Sequence, residues 1–142
     1  MGLFDMFKSE PIKLNAHLAL AVGLLYMMAS DGEIEPEEIG QLQSVVGGDQ
    51  DLINDAVKYL RNTKFEQFLD EAASLLNPQQ KLCLLINMAD SLLSDGRAEI
   101  SEQQAFSKAL SKFGMTEDTF KPYFETVAIK NNRSVFSKSV SQ

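Results

Sequence analysis

Carboxylates gather at two places in this sequence. The first is Ser30-Asp31-Gly32-Glu33-Ile34-Glu35-Pro36-Glu37-Glu38, which offers Asp31, Glu33, Glu35 and Glu38. The second is Ser94-Asp95-Gly96-Arg97-Ala98-Glu99-Ile100-Ser101-Glu102, which offers Asp95, Glu99 and Glu102. Clustered carboxylate oxygens suit hard divalent cations such as Ca²⁺, Mg²⁺ or Mn²⁺, which take several oxygen ligands, and a tight turn brings such ligands together. Asp31, Glu33 and Glu35 stand at the first, third and fifth positions of an EF-hand loop. Pro36 then takes the place of the required Gly and Leu42 that of the closing bidentate Glu, so an EF-hand is excluded. The same acids also have a plain structural use. Glu37 and Glu38 favour the positive end of a helix, Glu38 can close a capping box on the Glu35 N–H, and Asp31 before Gly32 is an ordinary turn residue. Both readings stand open at this point.

The second cluster is the weaker of the two, because Arg97 occupies the position of Glu33 and offsets charge locally. Asp90 belongs with these residues. A carboxylate on a mostly apolar helix needs a partner, and Asp90 serves either as a hydrogen-bonding group or as a further ligand. The two loops form one composite site only if the helices before them run roughly parallel. Other chemistry is poorly supplied. His17 is the single histidine and Cys83 the single cysteine, too far apart in the chain to support zinc coordination or a nucleophile–base pair. Cys83, inside Leu82-Cys83-Leu84-Leu85-Ile86, reads as a small buried hydrophobe. Gly47-Gly48 lacks the Lys-Ser/Thr of a phosphate loop.

Helices must position these loops. From Leu14 to Ser30 the pattern is apolar nearly all round, which predicts a helix in the middle of its domain. A second helix should run from Pro36 to Val46, stopped by Gly47-Gly48. A third covers Gln50 to Arg61 and a fourth Lys64 to Leu76, each with apolar residues at helical spacing. Asn77-Pro78 is a cap followed by a helix-starting proline, so the fifth runs from Pro78 to Ser94. The sixth should begin at Ser101, with Gln104 as the other half of a capping box, and end at Phe113-Gly114. The seventh runs from Thr116 to Lys130. Nothing alternates with period two over a useful length, so the fold class is all-α: a single-domain helical bundle of about seven helices. Residues 1–11 form a short amphipathic segment with Leu3, Phe4 and Phe7 on one side, residues 12–130 the domain, and residues 131–142 a flexible tail with Arg133 and Lys138 but no acid.

Chain totals narrow the function. The 142 residues carry 20 acids against 13 bases, a net charge of −7. That balance argues against nucleic acid, which needs cations facing phosphates, and against broad adsorption to anionic membranes. It leaves cations, basic peptides and positively charged protein faces as partners. A secretory signal is not evident and the longest apolar run is shorter than the ~20 residues a spanning helix needs, so a cytoplasmic protein is expected.

With Asp31 aligned on Asp95, Ala29-Ser30 falls on Leu93-Ser94 and Leu20 on Leu84. Two extra residues in the second copy bring Ile34 onto Ile100 and Glu38 onto Gln104. These matches read as an internal repeat of two related helical hairpins. The Ala-Ser-Asp-Gly-Glu-Ile-x-x-x-Glu segment after an apolar helix resembles the TerB-like family, the tellurite-resistance-associated domain also found in certain membrane-anchored J-domain co-chaperones. Asp95-Gly96 to Gln104, followed by Leu110 to Thr116, is similar to the same pattern, and the resemblance extends from Leu14 to Ala128. It implies an all-helical domain of two pseudo-symmetric halves, an acidic cluster for divalent cations, and a stress-response role without known catalysis. Asp31 and Glu38 match the first motif and Asp95 the second. Gln104 departs from it, having lost the carboxylate of a symmetric site. The expected function is therefore a non-enzymatic adaptor binding a divalent cation or basic partner. The alternatives are a structural protein-interaction module engaging membrane-bound machinery through residues 1–8, or a metal-dependent hydrolase.

Overall fold

The structure, a computed structural model, describes residues 12–29, 36–94 and 99–137. The first element, α1 (Ala16–Met28), is the centre of the bundle. Asn15 starts it, its side-chain oxygen accepting from the Leu18 N–H at 2.9 Å. From Leu18 to Met28 its side chains are buried on almost every face, because the sequence gives it no polar stripe to turn outward. It packs on the next five helices: α2 (Pro36–Val46), α3 (Gln50–Asn62), α4 (Phe65–Leu75), α5 (Pro78–Ser94) and α6 (Ile100–Lys112). Each fully buried Leu or Met contributes about 1.5–3 kcal/mol through apolar burial, and Leu25 and Met27 have no exposed surface.

The helix ends follow from local chemistry. Asp49 caps α3, accepting from the Asp51 and Leu52 N–H groups at 3.0 and 3.2 Å. Asn77 and Gln80 cap α5 reciprocally: the Gln80 N–H donates to Asn77 at 2.8 Å, and the Asn77 N–H donates to Gln80 at 2.9 Å. The last α-helix, α7 (Glu117–Asn131), opens with a capping box between Thr116 and Thr119. α2 and α6 are followed by Gly47 and Gly114, both with positive φ, and the Met115 N–H returns to the Leu110 carbonyl at 3.0 Å. Only glycine enters that left-handed conformation without a Cβ penalty. A 3₁₀ turn, Arg133–Phe136, follows α7. The described residues contain no strand; the all-α bundle expected from the periodicity is the fold.

Two groups of contacts tie the outer helices down. Phe68 of α4 sits among Tyr26, Tyr59 and Phe65, with ring centroids 5.3, 6.1 and 6.3 Å away. Lys108 of α6 meets Glu66 of α4 at 2.9 Å, and Lys112 meets Asp70 one turn on. These pairs are exposed, so water and salt screen them.

Several local expectations need correction. α1 is shorter than Leu14–Ser30, since Asn15 caps it and Ala29 is already its C-cap. α6 starts at Ile100 with Glu99 as its N-cap, and that cap makes no side-chain hydrogen bond. Ser101 is therefore inside the first turn, and the Ser101–Gln104 capping box is not what begins the helix. Cys83 is exposed, because α5 turns Leu84, Leu85, Met88 and Ala89 inward and leaves position 83 on its outer face. Val135 and Phe136, in the stretch expected to be a tail, are 57% and 89% exposed. Pro122 lies inside α7, where it withdraws one N–H from the helical ladder.

Candidate functional site

α1 and α5 run in the same direction. Gly23 in the middle of α1 faces Leu84 of α5, and further along both chains Met28 and Ser94, the last residues of the two helices, line one cleft of about 330 Å³. The parallel arrangement that a composite site requires is therefore present at the described ends. Leu24 and Met28 supply its apolar wall; Ser91, Ser94 and Asp90 of α5 and Ser44 of α2 supply polar groups. The C-terminal ends of two parallel helices carry partial negative charge on their unpaired carbonyls, so this end of the molecule favours positive charge.

A cation already reaches it. Lys130 Nζ of α7 donates to Asp90 Oδ1 at 3.1 Å and to Oδ2 at 3.2 Å. Asn131 Nδ2 donates to the same Oδ1 at 2.7 Å and to the Val127 carbonyl at 3.0 Å. Asp90 thus has the partners its half-buried position demands, its side chain being 31% exposed. The hydrogen-bonding reading of Asp90 is the observed one: it clasps α7 to α5 across the cleft. Arg133, from the 3₁₀ turn, lines the same cleft.

The other candidate residues fare differently. Glu38 is half-buried in the first turn of α2. Glu99 is exposed at the start of α6, and Glu102 is half-buried in that helix's first turn. Asp31, Glu33, Glu35 and Asp95 lie outside the described residues, as do Leu3, Phe4 and Phe7. Among the described residues no three His, Cys, Asp or Glu side chains converge as metal ligands, and no helix is long and apolar enough to cross a membrane.

Sequence reasoning missed Lys130, Asn131 and Arg133. They stand 40 or more residues from Asp90, and no local pattern connects the two places. The tyrosines were missed as well. The Tyr26 hydroxyl donates to the Thr63 carbonyl, and burial, reinforced by Glu66 and Glu71, pushes its pKa up to about 12. Tyr59, buried on α3, donates to Glu71; burial first, then that carboxylate, raises it further. Glu66 is held below the usual carboxylate range, chiefly by its hydrogen bond from Lys108. Tyr26 of α1, Tyr59 of α3 and Glu66 of α4 brace the side of the bundle where α3, α4 and α6 meet α1. Comparison with family models, with curated proteins and with solved structures finds no match to this chain.

Proposed function

We propose that this chain is a non-enzymatic, TerB-like adaptor of a stress response linked to tellurite or metal resistance, and that it binds a divalent cation at the end of the bundle where α1 and α5 finish. One observation carries this reading: Met28 and Ser94 line a single cleft, so the segments that continue from α1 and α5 set out from neighbouring points. Asp31, Glu33 and Glu35 on one segment and Asp95 on the other would supply the oxygens, with Glu38, Glu99 and Glu102 adding negative charge from the helices that follow. Ca²⁺, Mg²⁺ and Mn²⁺ all accept such ligands. A basic face of a partner protein answers to the same charge. Asp90 joins only by exchanging Lys130 for the incoming cation.

The packing also favours two pseudo-symmetric halves. α1 packs on α2 and α3, and α5 packs on α6 and α7, the correspondence expected if α1 and α5 are equivalent. A hydrolase has less in its favour. It needs two titratable groups in a pocket with separated roles, and the carboxylate of this cleft, Asp90, is engaged by Lys130 and Asn131. A structural interaction module is the second reading, favoured by the exposure of Ile129, Val135 and Phe136.

Calorimetry with Ca²⁺, Mg²⁺ and Mn²⁺ on the full chain tests the proposal. Heat of binding with at least one ion, abolished by Asp31→Asn with Asp95→Asn, is the expected result. Absence of heat and of any shift in melting temperature with all three ions defeats the metal reading. Deleting residues 1–8 without loss of partner recovery counts against a role for that segment.

A further inference from the structure

A groove of about 390 Å³ opens between α5, α6 and α7, away from the cleft. Its floor is Leu92, Phe106, Phe120 and Phe124, and Glu117, Asp118 and Lys121 stand on its rim, Lys121 leaning to Glu125 at 3.8 Å. The ring of Phe106 meets that of Phe120 edge-on with centroids 5.3 Å apart, so the floor is a preformed apolar surface. Such a surface flanked by carboxylates selects an apolar anchor that arrives with positive charge. With two carboxylates against one ammonium, which Glu125 already engages, the rim is net negative and disfavours an anionic membrane or the head group of a fatty acid.

The chain itself carries a segment of that chemistry. From Thr126 onward the sequence has Lys130, Arg133 and Lys138 and no Asp or Glu, while the whole chain carries −7. Positive charge is therefore concentrated at one end of an acidic protein. Within this stretch Phe136 is 89% exposed and Val135 57% exposed, side chains that water disfavours and that this fold leaves uncovered. Arg133 lies between them and α7, and no ion pair holds it among the described residues.

Phe136 does not fill the groove of its own chain. The groove uses the first half of α7, from Glu117 to Phe124, whereas the 3₁₀ turn follows the far end of that helix, about 10 Å beyond Phe124 at 1.5 Å per residue. Arg133 there lines the other cleft, with Met28 and Val45. We propose that the α5–α6–α7 groove receives the Arg133–Phe136 turn of a second copy of this chain. Phe136 enters over Phe120 and Phe124, and Arg133 meets Glu117 and Asp118. Reciprocal insertion closes a two-fold dimer; one-way insertion propagates as a chain of copies.

Light scattering behind size exclusion, run on the full chain over a concentration series, tests this. The expected result is a mass that rises with concentration and falls to the monomer with Phe136→Ser, which removes an exposed side chain and leaves the melting temperature unchanged. Arg133→Glu alone and Glu117→Lys with Asp118→Lys alone should each weaken association at least tenfold, and combining them should restore it. A monomer at every concentration overturns the proposal, as does a larger species indifferent to Phe136→Ser or to the charge reversals. A monomer that sediments with phosphatidylserine-containing vesicles in a Phe136-dependent way overturns it too, and assigns the turn to a lipid surface.

Discussion

Gly23 of α1 and Leu84 of α5 approach so closely that a Cβ on the glycine would stand 2.7 Å from Leu84 Cδ1. This contact lets α1 and α5 lie side by side, and their C-terminal ends reach one cleft. Replacing Gly23 by Ala gains about 0.5–1 kcal/mol of helix propensity but forces Leu84, 2% exposed, out of a packed position at about 1–3 kcal/mol. Gly23→Ala should therefore destabilise by about 1 kcal/mol in urea unfolding. In a Leu84→Ala background the same substitution should become stabilising by about 1 kcal/mol. Equal effects in both backgrounds would mean that the two helices are not in contact there.

The Asp90 clasp should be worth more than a surface ion pair. Asp90→Ala removes acceptors from both Lys130 and Asn131 and should cost about 1–2 kcal/mol. Lys130→Ala, which removes the more exposed partner, should cost under about 1 kcal/mol. Amide exchange would register the first change as faster exchange confined to Val127–Asn131 at the end of α7. Unaltered exchange there would leave α7 held by its apolar face alone.

Capping discriminates the start of α5 from that of α6. Asn77→Ala breaks a reciprocal pair of hydrogen bonds and should lower stability by about 1 kcal/mol. Ser101→Ala, within the first turn of α6, should change it by less than about 0.5 kcal/mol. Thermal melts of the two variants decide the matter, and a large loss at Ser101 would restore it as the cap.

Alkaline pH should destabilise this protein through Tyr26, which is half-buried, and Tyr59, which is buried. Tyr26 ionises at about 12 when folded, against 10.0 for the free side chain, and Tyr59 is raised as well. A folded-state pKa above the unfolded one gives stability that is fully present below pH 10 and is lost as pH rises through about 12. The urea midpoint should therefore hold steady up to the lower value and fall across that window, in step with tyrosinate absorbance. Tyr26→Phe should flatten the fall. A midpoint independent of pH across the window would mean that neither hydroxyl is buried.

Much of this was readable in advance because it is local. An apolar run without a polar face, from Leu18 to Met28, can only be central, and Asn77-Pro78, Gly47 and Gly114 announce helix ends through their own backbone chemistry. The spacing of Ser101 and Gln104 suits a capping box, but Glu99 takes the cap and α6 starts earlier. The apolar neighbours of Cys83 point to burial in sequence and hide that it occupies the outer face of α5. The parallel course of α1 and α5 was required by the composite-site idea but could not be read from either helix alone. The Asp90–Lys130–Asn131 clasp was out of reach for the same reason: only the folded chain brings α5 and α7 together.

Whether the two acidic segments share one cation is tested most directly by paramagnetic broadening in the isotopically labelled full chain. Sub-stoichiometric Mn²⁺ should broaden the amides of Met28 and Ser94 together, over the same concentration range, and Asp31→Asn with Asp95→Asn should abolish the effect at both. Broadening at one helix end without the other, or at neither, would contradict a shared site.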